Sequence, residues 1–286
     1  MQAFAPHTLE EALEVKAAHH EAVPVAGGTD LMVELNFGRA HPTSLLDLSH
    51  VEELVGWERE NGSIFVGAGT SFAQIARELR SFEALAEAAL TVGSPQIRNR
   101  ATIGGNLATA SPAGDGIPPL AAYDAEVVLA AAGGGRRIVP WDHFLRGPKH
   151  PALEHDELIA GVRWHVVDGP GAFAKVGPRG ANVIAVAAVC VQLDQESRGV
   201  RVALGSVGPR VLRAPAAELY AADAIAWDDP DAELPEDAVR GFGMLAASAA
   251  TPIDDVRGSA DYRRHAVAAL ARRLLVKTLE ERRARC

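Results

Sequence analysis

Residues Thr102 to Asp115 read TIGGNLATASPAGD, a stretch of glycines, alanines, hydroxyls and one amide with almost no side-chain volume. A core strand would carry Val, Ile or Phe here, and a solvent loop would carry Lys or Glu. Small residues over so long a stretch imply that something bulky and polar lies against the backbone.

A second glycine pair stands upstream in VAGGTDL, Val25 to Leu31. The apolar run Val23-Pro-Val-Ala26 reads as a strand, Gly27-Gly28 as a tight turn, and Thr29-Asp30 as the approach to a helix opening at Leu31. A buried phosphate needs backbone N–H donors at close range, hence glycine where a Cβ would collide, and a helix N-terminus adds ~0.3–1 kcal/mol for the anion. VAGGTDL alone is weak, because many Gly-Gly turns only reverse the chain. TIGGN supplies a second glycine turn, and a diphosphate is long enough to be held by two. Thr109, Ser111 and Asp115 follow it with hydroxyls and a carboxylate, which suit the hydroxylated linker of a flavin leaving water. The side chains are small because a cofactor supplies the missing volume. A rival, Gly67-Ala-Gly-Thr-Ser-Phe72, has Phe72 at the third glycine of a dinucleotide fingerprint and no ribose-binding acid at the required distance, so it reads as a turn.

At 286 residues, 48% hydrophobic and 23% charged, the chain can bury a core and divides into two or three compact units. Its longest apolar run, Val183 to Val191, suits a buried strand and falls short of the roughly 18 residues of a membrane span. No secretory signal opens the chain, so the cytoplasm is the expected location. Two cysteines, Cys190 and Cys286, cannot form a disulfide framework or a four-thiolate cluster, and no histidine spacing of the zinc type occurs. A net charge of -9 and few aromatic residues argue against nucleic acid as a partner. From Ser259 to Cys286 eight Lys or Arg face three acids. That segment reads either as a solvated helix whose basic end complements its dipole or as a docking surface for an acidic partner.

Thr8-Leu-Glu-Glu11 is a capping box opening a helix through about His19, and Ser71-Phe-Ala-Gln74 caps another. Asn61-Gly62 marks a hairpin between Val55 and Val66, and EVVLAAAGGGRRIV after Ala125 reads as two strands around a glycine turn. A short strand lies within Glu154 to His165. A domain boundary is placed near Gly169-Pro-Gly171, with a hairpin of long strands beyond it (Val183–Leu193, Val200–Val207) and helices from about Glu236 and Asp261. The fold class is α+β.

AGGTDL followed by TIGGNLATASPAGD resembles the two FAD-binding signatures of the flavin subunit of molybdenum hydroxylases, the medium subunit of aerobic carbon monoxide dehydrogenase and its xanthine dehydrogenase relatives. GSPQIRNRA, DELIAGVRW, FAKVGPR and IDDVRGSADYRR extend the likeness over nearly the whole chain. The resemblance implies a fold of the vanillyl-alcohol oxidase and p-cresol methylhydroxylase type over residues 1–170, with subdomains of about 1–53 and 54–170, and a C-terminal α+β domain over 171–286. By position, Gly27, Gly28 and Thr29, with Val25, Ala26, Asp30 and Leu31, would hold the pyrophosphate. Thr102, Ile103, Gly104, Gly105, Asn106 and Thr109 would complete that grip and reach the ribityl chain. Asp115 would bind nearby hydroxyls, Ile159 would lie against the ring system and Lys175 beside it. No residue matches a covalent flavin attachment, so the resemblance implies non-covalent FAD. It places the molybdenum cofactor on a large partner subunit, iron–sulfur clusters on a small one, and the final electron acceptor outside the complex. Two other readings are a self-sufficient FAD oxidoreductase of this fold and a non-catalytic assembly or scaffold protein.

Overall fold

The computed structural model describes residues 1–180 and 182–285, so Cys286 lies outside the described residues. The chain begins with β1 (Gln2–Phe4), α1 (Leu9–Ala18), β2 (Val23–Val25), α2 (Leu31–Asn36) and β3 (Ser44–Asp47). Strands β4 (Trp57–Glu60) and β5 (Ser63–Gly67) precede five helices: α3 (Phe72–Glu78), α4 (Glu83–Thr91), α5 (Pro95–Arg100), α6 (Ile103–Thr109) and α7 (Ile117–Ala122). Then come β6 (Glu126–Ala131), β7 (Gly135–Pro140), α8 (Trp141–Phe144), β8 (Leu145–Gly147), β9 (His150–Pro151) and β10 (Leu158–His165). The remainder is β11 (Gly171–Val176), β12 (Ala187–Asp194), β13 (Gly199–Gly205), β14 (Leu212–Arg213), α9 (Pro215–Ala224), α10 (Glu236–Ser248) and α11 (Ala260–Arg285). The composition is α+β, as its sequence implies.

Packing sorts these elements into two units, each discontinuous in sequence. Unit 1 comprises Met1–Ile75, Ser94–Ala110 and Asp124–His165. Unit 2 comprises Ala76–Gly93, Ser111–Tyr123 and the chain from Val166 onward.

Unit 1 holds a parallel sheet in the order β1-β3-β2 and an antiparallel sheet in the order β4-β5-β10-β6-β7. Local chemistry explains the ends of these elements. Thr8 accepts from the Glu11 amide while the Glu11 carboxylate accepts from the Thr8 amide, so α1 opens on a complete capping box. Asn61 and Gly62 both take positive φ (50° and 75°), the backbone that a two-residue hairpin needs between twisted strands. Gly133 and Gly134 also take positive φ (73° and 80°), in the loop Ala132–Gly134 between β6 and β7. Ser71 and Gln74 exchange side-chain and amide contacts at the start of α3.

Unit 2 is a sheet in the order β11-β12-β13-β14 with helices on both faces. Val189, Val191, Val202 and Leu204 on one face pack with Phe242 of α10 and Leu275 of α11, while α4 and α7 cover the other. Every residue of β12 is therefore buried, which explains its unbroken apolar run. That strand starts at Ala187 rather than at Val183, because the Val183 carbonyl is taken by a lysine side chain instead of a neighbouring strand. Much of the basic charge of α11 is built into the fold. Arg263 is 2% exposed and donates to the Val186 and Ser206 carbonyls and to Asp255, and Arg282 lies over the Trp227 ring and donates to Gln195.

Among the described residues no helix is long and apolar enough to cross a membrane. No cluster of three or more His, Cys, Asp or Glu is placed to hold a metal ion among them.

Candidate functional site

The first glycine signature begins where β2 runs out of partners. The Val25 carbonyl accepts from the Leu48 amide at 2.8 Å, and there the ladder stops. The amides of Ala26, Gly27, Gly28, Thr29, Asp30 and Leu31 meet no acceptor among the described residues, and the first helical bond is Met32 N–H to the Gly28 carbonyl at 3.0 Å. Backbone N–H groups are obligatory donors, so a run of unpaired ones in a half-buried segment is a site for an acceptor from outside the chain. Each glycine has its own cause. A Cβ on Gly27 would lie 1.8 Å from the Arg100 carbonyl oxygen, so close backbone approach demands it. Gly28 has φ of +72°, and a Cβ there would meet only ordinary contacts, the nearest Met32 Cγ at 3.4 Å, so the curl of the chain demands it.

The second signature is the first turn of α6, not a bend. Thr102 caps the helix, its hydroxyl accepting from the Gly105 amide at 3.0 Å. The Ile103 amide donates to the Thr70 carbonyl, the Gly104 amide to the Ala68 carbonyl and the Asn106 amide to the Thr102 carbonyl. Every amide from Ile103 to Asn106 is thus spent within the protein. Gly104 is small because a Cβ there would lie 2.6 Å from Ala68 Cβ. Ile103, Gly104 and Leu107 face inward, leaving Gly105, Asn106 and Thr109 on the less buried side. On that side the Asn106 Oδ1 is buried without a hydrogen-bond partner. Thr109 Oγ1 donates to Asp30 Oδ2 at 3.2 Å, which ties the two signatures together. Ile159 is buried on β10, against which α6 packs.

Asp115 and Lys175 meet in unit 2. Lys175 Nζ donates to Asp115 Oδ2 at 2.5 Å and to the Thr91 and Val183 carbonyls, each at 3.0 Å, so all three ammonium hydrogens have acceptors. Both side chains are nearly buried. Burial pushes the Asp115 carboxyl above its ordinary range, with the adjacent ammonium pulling the other way. The second oxygen, Asp115 Oδ1, is buried and unpartnered. No residue type signals the carbonyl acceptors of Lys175, which is why they are invisible in the sequence.

In unit 1, six amides with no acceptor among the described residues and an orphaned amide oxygen on Asn106 are the complement of a molecule that carries phosphate oxygens and hydroxyls. The class so defined is a nucleotide-cofactor protein on an α+β scaffold. Residues 1–164 match the family described as the FAD binding domain in molybdopterin dehydrogenase, and residues 172–278 match the CO dehydrogenase flavoprotein C-terminal domain. The chain belongs to this family of molybdopterin dehydrogenase FAD subunits, and its cofactor is FAD. It is 38% identical over 210 residues to the nicotinate dehydrogenase FAD-subunit of Eubacterium barkeri, covering 69% of this chain and 70% of that protein. It is 30% identical to the carbon monoxide dehydrogenase medium chain of Hydrogenophaga pseudoflava, covering 93% of this chain and 91% of that one. A solved structure of carbon monoxide dehydrogenase from the same organism superposes with a TM-score of 0.86 at 29% identity, covering 99% of this chain and 98% of its own.

Proposed function

We propose that this chain is the electron-exit subunit of a molybdenum hydroxylase. It holds FAD without a covalent link, receives electrons from iron–sulfur clusters on a small partner subunit, and releases them to an external acceptor. The molybdenum cofactor belongs to a large partner subunit, and the complex works in the cytoplasm. The isoalloxazine ring of bound FAD supplies the redox chemistry, and the protein's part is binding, orientation and electrostatics.

In this reading the amides of Ala26 to Leu31 donate to the diphosphate. Val25, Gly27 and Gly28 shape the curve, and Thr29 adds a hydroxyl at its rim. Asp30 and Thr109, through their mutual hydrogen bond, keep α2 and α6 in register. Thr102, Ile103, Gly104 and Gly105 act by building the turn that presents Asn106, whose oxygen accepts from a cofactor hydroxyl. Asp115 Oδ1 is a second such acceptor, held in place by Lys175, and Ile159 gives the ring system an apolar contact. Residues 1–170 form the FAD-binding domain in this reading, and 171–286 the C-terminal α+β domain.

The observation that carries the proposal is the row of unpaired amides at Ala26–Leu31. Its test is flavin retention: the purified chain retains FAD in near-equal stoichiometry, and Gly28→Val loses it while remaining folded by circular dichroism. Full FAD content in folded Gly28→Val would move the diphosphate elsewhere.

A further inference from the structure

The eight basic residues near the C-terminus fall into two groups. Arg263, Arg264, Lys277, Arg283 and Arg285 each make an ion pair with an acid of the same unit, and Arg282 is held by Gln195 and two carbonyls. Arg272 and Arg273 have no such partner among the described residues, and both line one groove between α10 and α11. Arg240, from α10, is the third unpaired guanidinium on that groove. The cavity measures about 370 Å³, and Val239 and Val276 contribute apolar lining between the arginines. Arg272 is braced as well as exposed, its side chain lying over Gly243, where a Cβ would come 2.6 Å from Arg272 Cγ.

We infer that this groove docks an acidic, partly apolar segment of a partner subunit of the complex. The inference rests on the reading of the chain as one subunit of an assembly, and it names the surface on unit 2 that the assembly uses. The chain carries a net charge of -9, so an acidic segment is repelled over most of its surface and attracted where unpaired guanidinium groups gather. Glu236 and Glu280 also line the groove, which sets where the carboxylates of the partner are excluded and so fixes register. Arginine suits this role better than lysine, since its planar fork binds a carboxylate through two hydrogen bonds and its weaker hydration makes burial at an interface cheaper. The two valines give the segment an apolar anchor inside the charged rim.

The test is assembly of the FAD-loaded chain with its two purified partner subunits, read as a dissociation constant by mass photometry at two salt concentrations. The triple variant R240E/R272E/R273E keeps its FAD and loses about tenfold or more in affinity, and the salt dependence of binding falls. Reversal of an internally paired cation, R264E, leaves affinity unchanged. If the triple reversal fails to fold, R272Q/R273Q reads the same effect at smaller size. Affinity and salt slope unchanged in folded, FAD-loaded variants would overturn the inference, as would loss of binding to a soluble acidic electron carrier with assembly intact. A wild-type chain that binds neither partner subunit would instead contradict the proposed function.

Discussion

The two glycine pairs of unit 1 look alike as text and differ as structures. In Ala26–Leu31 the amides meet no acceptor among the described residues, whereas in Ile103–Asn106 every amide is consumed by Thr70, Ala68 or Thr102. Gly27 and Gly104 are there because another backbone or methyl group comes too close for a Cβ, and Gly28 is there because its φ is positive. A glycine pair therefore reports tight space or unusual backbone, and only the fate of its amides says whether a ligand is involved. The first pair is a binding element. The second is a structural one that delivers Asn106 and Thr109.

The contrast can be broken by substitution. The largest effect belongs to Gly104→Val, which drives a side chain into Ala68 and is expected to abolish the cooperative thermal transition, while Gly28→Ala, whose added Cβ meets only ordinary contacts, is expected to cost only about 1 kcal/mol of stability. Equal melting behaviour of the two variants would erase the distinction. Next comes Lys175→Met, which leaves Asp115 buried and unpaired and should cost about 3–5 kcal/mol in denaturant unfolding. Adding Asp115→Leu should restore most of that loss. A double variant no better than the single one would mean that the pair is not the reason for burial.

Asn106→Leu sharpens the comparison, because it should have opposite effects on two measurements. Removing an orphaned buried oxygen should leave the flavin-free chain as stable or about 1 kcal/mol more so, while the same change weakens FAD binding by about 1–3 kcal/mol. Loss of both together would assign Asn106 to the core. The smallest effect concerns pH and lies in unit 2, outside both signatures. Hydrogen bonds from Arg257, first, and from Arg263 hold the Asp255 carboxyl well below the usual carboxylate range. Its stabilisation is present above the unfolded-state value of about 3.9 and is lost as pH falls toward the lower folded-state value. Asp255→Asn should therefore destabilise the chain at neutral pH and match the wild type in strong acid. A constant difference across that range would point to lost packing instead.

Capping boxes and hairpins were plain in the sequence because their chemistry is local: Thr8 with Glu11, Ser71 with Gln74, and Asn61-Gly62 each define their element within four residues. The FAD signatures were equally readable as residue types. What the sequence did not disclose depends on distant backbone. Nothing in TIGGN announces that Ala68 and Thr70 carbonyls take its amides, so a helix start read as a bend. The acceptors of Lys175 are carbonyls of Thr91 and Val183, which no side chain marks. Likewise α4 and α7 join unit 2 by covering one face of its sheet, although a division at residue 170 counts them with the N-terminal domain.

The most direct test is amide hydrogen exchange, followed by mass spectrometry, on the chain with and without FAD. Peptides covering Ala26–Leu31 should exchange fast without the cofactor and become protected with it, while Ile103–Asn106 should be slow in both states. Equal protection of Ala26–Leu31 in the two states would contradict the account.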